Sequence, residues 1–142
     1  MESHWSVSAC FVLSSDAESF DFQRITGILG FQPTKARKRS EYLCPAVASS
    51  EWYYRMPRQN THSTETEMEK LQKLIEPHID ELKGFCMEQG IRSRFVISVR
   101  SADDSLPGIE ATTGFVKFMA NLGADICFDI YCCLGDQFIA EG

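Results

Sequence analysis

The periodic segment from Thr64 to Gly90 most limits what this chain can become. Met68, Leu71, Ile75, Ile79, Leu82 and Phe85 recur at intervals of three and four, while Glu65, Glu69, Lys73, Glu76 and Asp80 take the opposite side. That spacing makes one apolar stripe on a helix, and some 25 helical residues reach about 38 Å. A stripe of that length needs a broad apolar surface against it, which one face of a sheet supplies. Pro77 lacks a backbone N–H and crowds the carbonyl four residues back, so the segment is expected to kink or divide there. Thr64 and Glu67 are spaced for a capping box, and Gly90 for the stop.

Strand patterns of the required kind are present. Ser6 to Ser15 places Val7, Ala9, Phe11 and Leu13 on one side and Ser8, Cys10 and Val12 on the other. Arg94 to Arg100 turns Phe95, Ile97 and Val99 inward and Arg94, Val96, Ser98 and Arg100 outward. Ala124 to Cys132 sets Ile126, Phe128 and Ile130 against Asp125, Cys127, Asp129 and Tyr131. Period two with one polar side marks half-buried strands. Glu51 to Met56 is a further strand, rich in aromatics and ended by Pro57, and Ile109 to Ala111 is expected to add a short one. Tyr42 to Ser50 has no period, Arg58 to Ser63 reads as a polar connection, and Ser101 to Gly108 as a turn.

Two short helices complete the set. Asp21 is placed as N-cap for Phe22, Ile25, Ile28 and Leu29, with Gly30 and Pro33 closing. Thr112 or Thr113 caps a helix carrying Phe115, Phe118, Met119 and Leu122, stopped by Gly123. ITGILGF and FMANLGA echo one another as apolar helices ending in Leu-Gly. The expected fold is α+β: a two-layer sandwich with a mainly antiparallel sheet and helices packed on one face. At 142 residues, a single domain spanning 1–142 is expected, with a tail over 134–142 that shows no period.

Several function classes are excluded or left without support. No apolar run approaches the ~20 residues of a membrane span, and the start, acidic at Glu2, lacks the basic opening of a secretory signal, so a cytoplasmic protein is expected. The six cysteines match neither a zinc site nor a disulfide scaffold, and Cys132-Cys133 is the only unusual pair, read as structural thiols. His4, His62 and His78 do not cluster, and Asp103-Asp104 is read as a solvated turn. No phosphate-binding, nucleophile-elbow or zinc-protease motif occurs. The expectation is a protein that is not an enzyme and holds no cofactor or metal.

Charge points to binding. The formal net charge is -6, yet residues 24–58 carry seven basic side chains against two acidic ones, which leaves the remainder at -11. Lys35, Arg37, Lys38 and Arg39 form the dense basic turn that follows the first helix. If the strands are neighbours, Tyr53, Arg55, Arg94, Arg100, Asp125, Asp129 and Tyr131 share one polar sheet face, where Arg and Asp can pair across strands. Arg and Tyr also suit that face to protein contact.

FDFQRITGILGFQPTKARKRSE, the tryptophan of SSEWYYR, the long helix to GFCMEQG, and TTGFVKFMANLGADICFDIYC together resemble the bacterial domain of unknown function 4279 family, over about residues 7–132. The chain departs from that family's pattern after Pro33-Thr34, where it has Lys38-Arg39-Ser40-Glu41. The resemblance implies a small cytosolic α+β domain and brings no catalytic residues. The function expected is a bacterial immunity protein that binds and neutralises a cognate toxin, such as a contact-dependent growth-inhibition nuclease; the alternative is a nucleic-acid or phosphorylated-ligand binder using residues 35–39.

Overall fold

Ten regular elements are built from these patterns in the computed structural model, which describes residues 5–102, 105 and 108–132. In order they are β1 (Trp5–Ser15), α1 (Phe22–Leu29), β2 (Lys35–Arg37), β3 (Ser50–Arg55), β4 (Gln59–Asn60), α2 (Thr64–Ile75), α3 (Ile79–Gln89), β5 (Arg92–Ser101), α4 (Thr113–Leu122) and β6 (Asp125–Cys132). The tail 134–142, His4, Cys133 and Asp103-Asp104 lie outside the described residues.

The sheet runs β2-β3-β1-β5-β6. β1 is its centre, antiparallel to β5 along one edge and to β3 and then β4 along the other. Pro57 cannot donate a ladder bond, and the outer strand breaks there into β3 and β4. β5 and β6 are parallel, joined through α4 as a crossover must be. The fold is therefore α+β with a mixed, mainly antiparallel sheet.

One face of this sheet is the core. Val7, Ala9, Phe11 and Leu13 of β1 and Phe95, Ile97 and Val99 of β5 meet Ile25, Met68, Leu71, Ile75, Leu82, Phe115 and Phe118 from the helices. Phe95, Phe115 and Phe118 stack at centroid distances of 5.3–5.6 Å, within the range aromatic pairs favour. Trp52 enters from β3 and is 0% exposed; its indole N–H donates to Thr26 Oγ1 on α1 at 3.2 Å. The long periodic segment divides at Pro77 into α2 and α3 with one 3-10 turn between them, Glu76–His78. Gly30 ends α1 with φ 81°, a left-handed backbone that favours glycine.

Three expectations are corrected. The α2 N-cap is Ser63, whose hydroxyl accepts from the Glu65 N–H, not Thr64. Thr64 is buried and spends its hydroxyl on Glu110, while Glu67 is 1% exposed and pairs with Lys70 at 2.9 Å, so no capping box forms. Residues 109–111 form no strand, because the Glu110 N–H and carbonyl are both taken by Thr64 Oγ1; Gly108 alone bridges to Ser63. The connection after Pro57 contains β4.

Candidate functional site

Alternation on three strands, extended by pairing, assembles the outer face of the sheet. Val12 is register partner of both Tyr53 and Arg94, and Arg94 is partner of Asp125. Arg100 faces Tyr131, Ser98 faces Asp129, and Arg55 faces Cys10. Paired residues point to the same side, so Tyr53, Arg55, Arg94, Arg100, Asp125, Asp129 and Tyr131 do share one face, with β1 lying between β3 and β5. Along β1 that face is floored by small side chains, Ser6, Ser8 and Cys10, all buried.

The basic turn is half strand. Lys35 and Arg37 lie in β2, opposite Tyr53 and Glu51, so they join the same face. Arg37 sits over the Tyr42 ring at 5.2 Å and Arg55 over Tyr53 at 5.5 Å, within cation–π reach. Lys38 precedes a 3-10 turn, Arg39–Glu41, and is exposed. Arg39 is turned away into the following loop: its Nε donates to Pro45 O at 2.6 Å, and its terminal nitrogens to Asp16 O at 3.0 Å and Ala46 O at 3.3 Å. Its role is to hold a loop rather than to offer charge.

That loop was without period in sequence, and it holds the residues that periodicity missed. Residues 43–47, Leu-Cys-Pro-Ala-Val, are all exposed, Leu43 at 100% and Val47 at 86%. A cleft of about 410 Å³ separates the loop from the sheet; Val12, Tyr42, Val47, Ala48, Arg94 and Asp125 are among its walls. Inside it, Tyr42 donates to Glu51 Oε1 at 2.7 Å, and burial followed by that bond pushes the phenol up to about 12. Arg92 is engaged by Asp16 at 3.0 Å, and the guanidinium holds that carboxyl below its ordinary range. Arg94 makes no side-chain hydrogen bond or ion pair, and it does not pair with its register partner Asp125. The cross-strand pair open to Arg94 and Asp125 thus does not close; opposed residues on neighbouring strands stand close without their long side chains being drawn into contact.

Arg58, read as part of a polar connection, lies across the face instead. Its guanidinium donates to Ser6 Oγ at 3.2 Å and Ser98 Oγ at 2.6 Å, bracing β1 and β5. Burial, then the nearby Arg100 and Arg55, push it down to about 10, so it stays charged at neutral pH. With Lys35, Arg37, Arg55, Arg92, Arg94 and Arg100 it makes seven cations against Glu51, Asp125, Asp129 and the Asp16 that Arg92 binds, a balance of +3. The span 64–89 on the other layer carries seven acids against three lysines, a balance of -4. The positive patch is therefore larger than residues 24–58 imply, and it opposes an acidic helix layer.

Among the described residues no cluster of three His, Cys, Asp or Glu side chains is placed to hold a metal. Burial pushes the Cys10 and Cys86 thiols up to about 11, so at pH 8 only about one in a thousand is thiolate. Iodoacetamide at pH 8, followed by peptide mass spectrometry, is expected to modify exposed Cys44 and Cys132 and to reach Cys10 and Cys86 only after unfolding. Early modification of Cys10 would show that the outer face opens. No helix among the described residues is long and apolar enough to cross a membrane.

Neither curated proteins nor solved structures give a match to this chain. A family model does, over residues 4–133, which takes in every described element, so the chain belongs to the family described as Domain of unknown function (DUF4279).

Proposed function

We propose that the chain is a non-enzymatic protein-binding domain, specifically an immunity protein that neutralises a toxin domain such as a contact-dependent growth-inhibition nuclease, and that it engages its partner with the outer sheet face. The observation that carries the binding reading is that face: cationic, floored by small residues, and edged by an exposed apolar loop. Arg and Tyr over a close-lying backbone are what protein interfaces enrich. A +3 face steers toward an acidic surface, and a nuclease that holds metal ions with carboxylates presents one at its active centre. The absence of a catalytic motif in the sequence supports the immunity form.

Co-expression with the polypeptide encoded by the adjacent gene tests this. The expected result is co-purification and protection of growth, lost on Arg55→Glu with Arg94→Glu and kept on Glu76→Lys with Asp80→Lys. Absence of both complex and protection would sink the immunity reading.

The charge of the face favours a second reading, an anionic polymer or phosphorylated ligand held by Lys35, Arg37 and their neighbours. Labelled RNA titrated against salt separates the two, since several phosphate contacts give a steep loss of affinity as salt rises. A flat response leaves the protein partner.

A further inference from the structure

The geometry points to a docking centre on this face: Leu43 and Val47, held out by Arg39, beside Arg94 in the adjoining cleft, taking an acidic side chain flanked by apolar ones on a partner protein. This rests on the protein-binding reading and adds to it where contact is made and what chemistry it requires.

Three observations converge on the site. An apolar run that is exposed throughout ordinarily folds back against the nearest apolar surface, since each buried side chain is favourable to remove from water. Here it is kept from doing so. Arg39 fixes the Pro45 and Ala46 carbonyls, and the Val47 and Ala48 N–H groups close 3-10 bonds at 3.1 and 3.3 Å. A loop already ordered loses little entropy when a partner covers it, and isolated exposed aliphatics become significant when contiguous.

The cleft supplies the polar half. Tyr42 takes one oxygen of Glu51 and Asp16 holds Arg92, which leaves Arg94 as the cation of the cleft with all its donors to spare, across from the carboxylates of Glu51 and Asp125. The surrounding face decides which charge enters, because Lys35, Arg37 and Arg55 add positive potential on the same side. A carboxylate is therefore attracted, and a planar guanidinium binds it with two parallel N–H donors. Val12, Val47 and Ala48 line the same cleft and receive the apolar neighbours of that acid. Arginine inside an apolar surround is the combination that dominates interface energetics.

The test uses the full chain, labelled with nitrogen-15, and two synthetic probes, Ac-Leu-Asp-Leu-NH2 and Ac-Leu-Asn-Leu-NH2. With the aspartyl peptide, amide shifts are expected at residues 43, 44, 46–48 and 92–95, saturating at about 10 mM or below; the asparaginyl peptide is expected to bind roughly tenfold more weakly. Arg94→Gln should abolish that difference, and Leu43→Ser with Val47→Ser should weaken both peptides. All three positions are at the surface, and circular dichroism verifies folding of each variant. Equal affinity for the two peptides, shifts centred elsewhere, or none at about 10 mM overturns the proposal. Cosedimentation with phosphatidylcholine–phosphatidylglycerol vesicles that is lost in the Leu43→Ser, Val47→Ser variant also overturns it, by making the loop a membrane contact. The co-expression result is separate: peptide binding without a toxin complex removes only the toxin, and a toxin complex indifferent to Arg94→Gln and Leu43→Ser removes only this centre.

Discussion

Trp52→Ala is expected to cost about 3–5 kcal/mol, the usual range for emptying a large buried aromatic site, and to leave a domain that typically has about 5–15 kcal/mol in hand partly unfolded at 37 °C. Trp52 is wholly enclosed on the core side of β3, beside its register partner Leu13, and Phe31 approaches it with a centroid distance of 6.1 Å. Truncation removes the packing and also leaves Thr26 Oγ1 without its indole donor. Trp52→Phe restores most of the ring and not the N–H, so it should recover more than half of the loss. Thr26→Val, which strands the buried indole N–H, should cost about 1–3 kcal/mol. Urea unfolding followed by far-ultraviolet circular dichroism measures all three. A loss below about 1.5 kcal/mol for Trp52→Ala would mean that α1 collapses onto β3 without strain, contrary to the rigid packing expected of cores.

The same residue shows why parts of the fold were legible beforehand. Trp52 and Tyr53 point to the core side and the outer side of the sheet, and β1, β5 and β6 alternate apolar and polar residues in the same way; period two is visible whenever the two faces of a sheet differ in polarity. The seven polar-face residues could be assigned to one side for that reason. What local pattern does not encode is pairing. β2 and β4 have three and two residues, too few for any period, and Lys35 and Arg37 reach the face only because β2 lies against β3. The capping residue of α2 is ambiguous in sequence, because Ser63, Thr64 and Glu67 all have suitable chemistry and only the burial of Thr64 and Glu67 decides among them. Nothing in the residues 43–47 signals exposure. They have no period, and the bonds from Arg39 to the Pro45 and Ala46 carbonyls that hold them are not encoded in any local pattern.

Arg39→Ala is accordingly expected to have its largest effect on the loop and a smaller one on the domain. Three guanidinium donors to backbone carbonyls are charge-assisted bonds, individually about 1.5–3 kcal/mol when sheltered; with the side chain only half-buried, the total loss of stability should be about 1–2 kcal/mol. The local consequence is greater because these bonds join the loop to the end of β1 through Asp16 O and to itself through Pro45 O and Ala46 O. Without them, the 3-10 turn at Pro45–Val47 has only its own two backbone bonds. Hydrogen exchange at the Val47 and Ala48 amides should accelerate roughly tenfold or more, while core amides of β1 and β5 change no more than global stability dictates. Arg39→Lys should recover little of the protection, since one ammonium cannot address three carbonyls set in a plane around a fork. Partner binding should weaken in parallel with loop protection across Ala, Lys and Arg at this position, because an unheld Leu43 and Val47 must be ordered at the moment of contact. Unchanged exchange at Val47 in Arg39→Ala would show that the loop holds itself, and the arginine would then be a charge on the surface and nothing more.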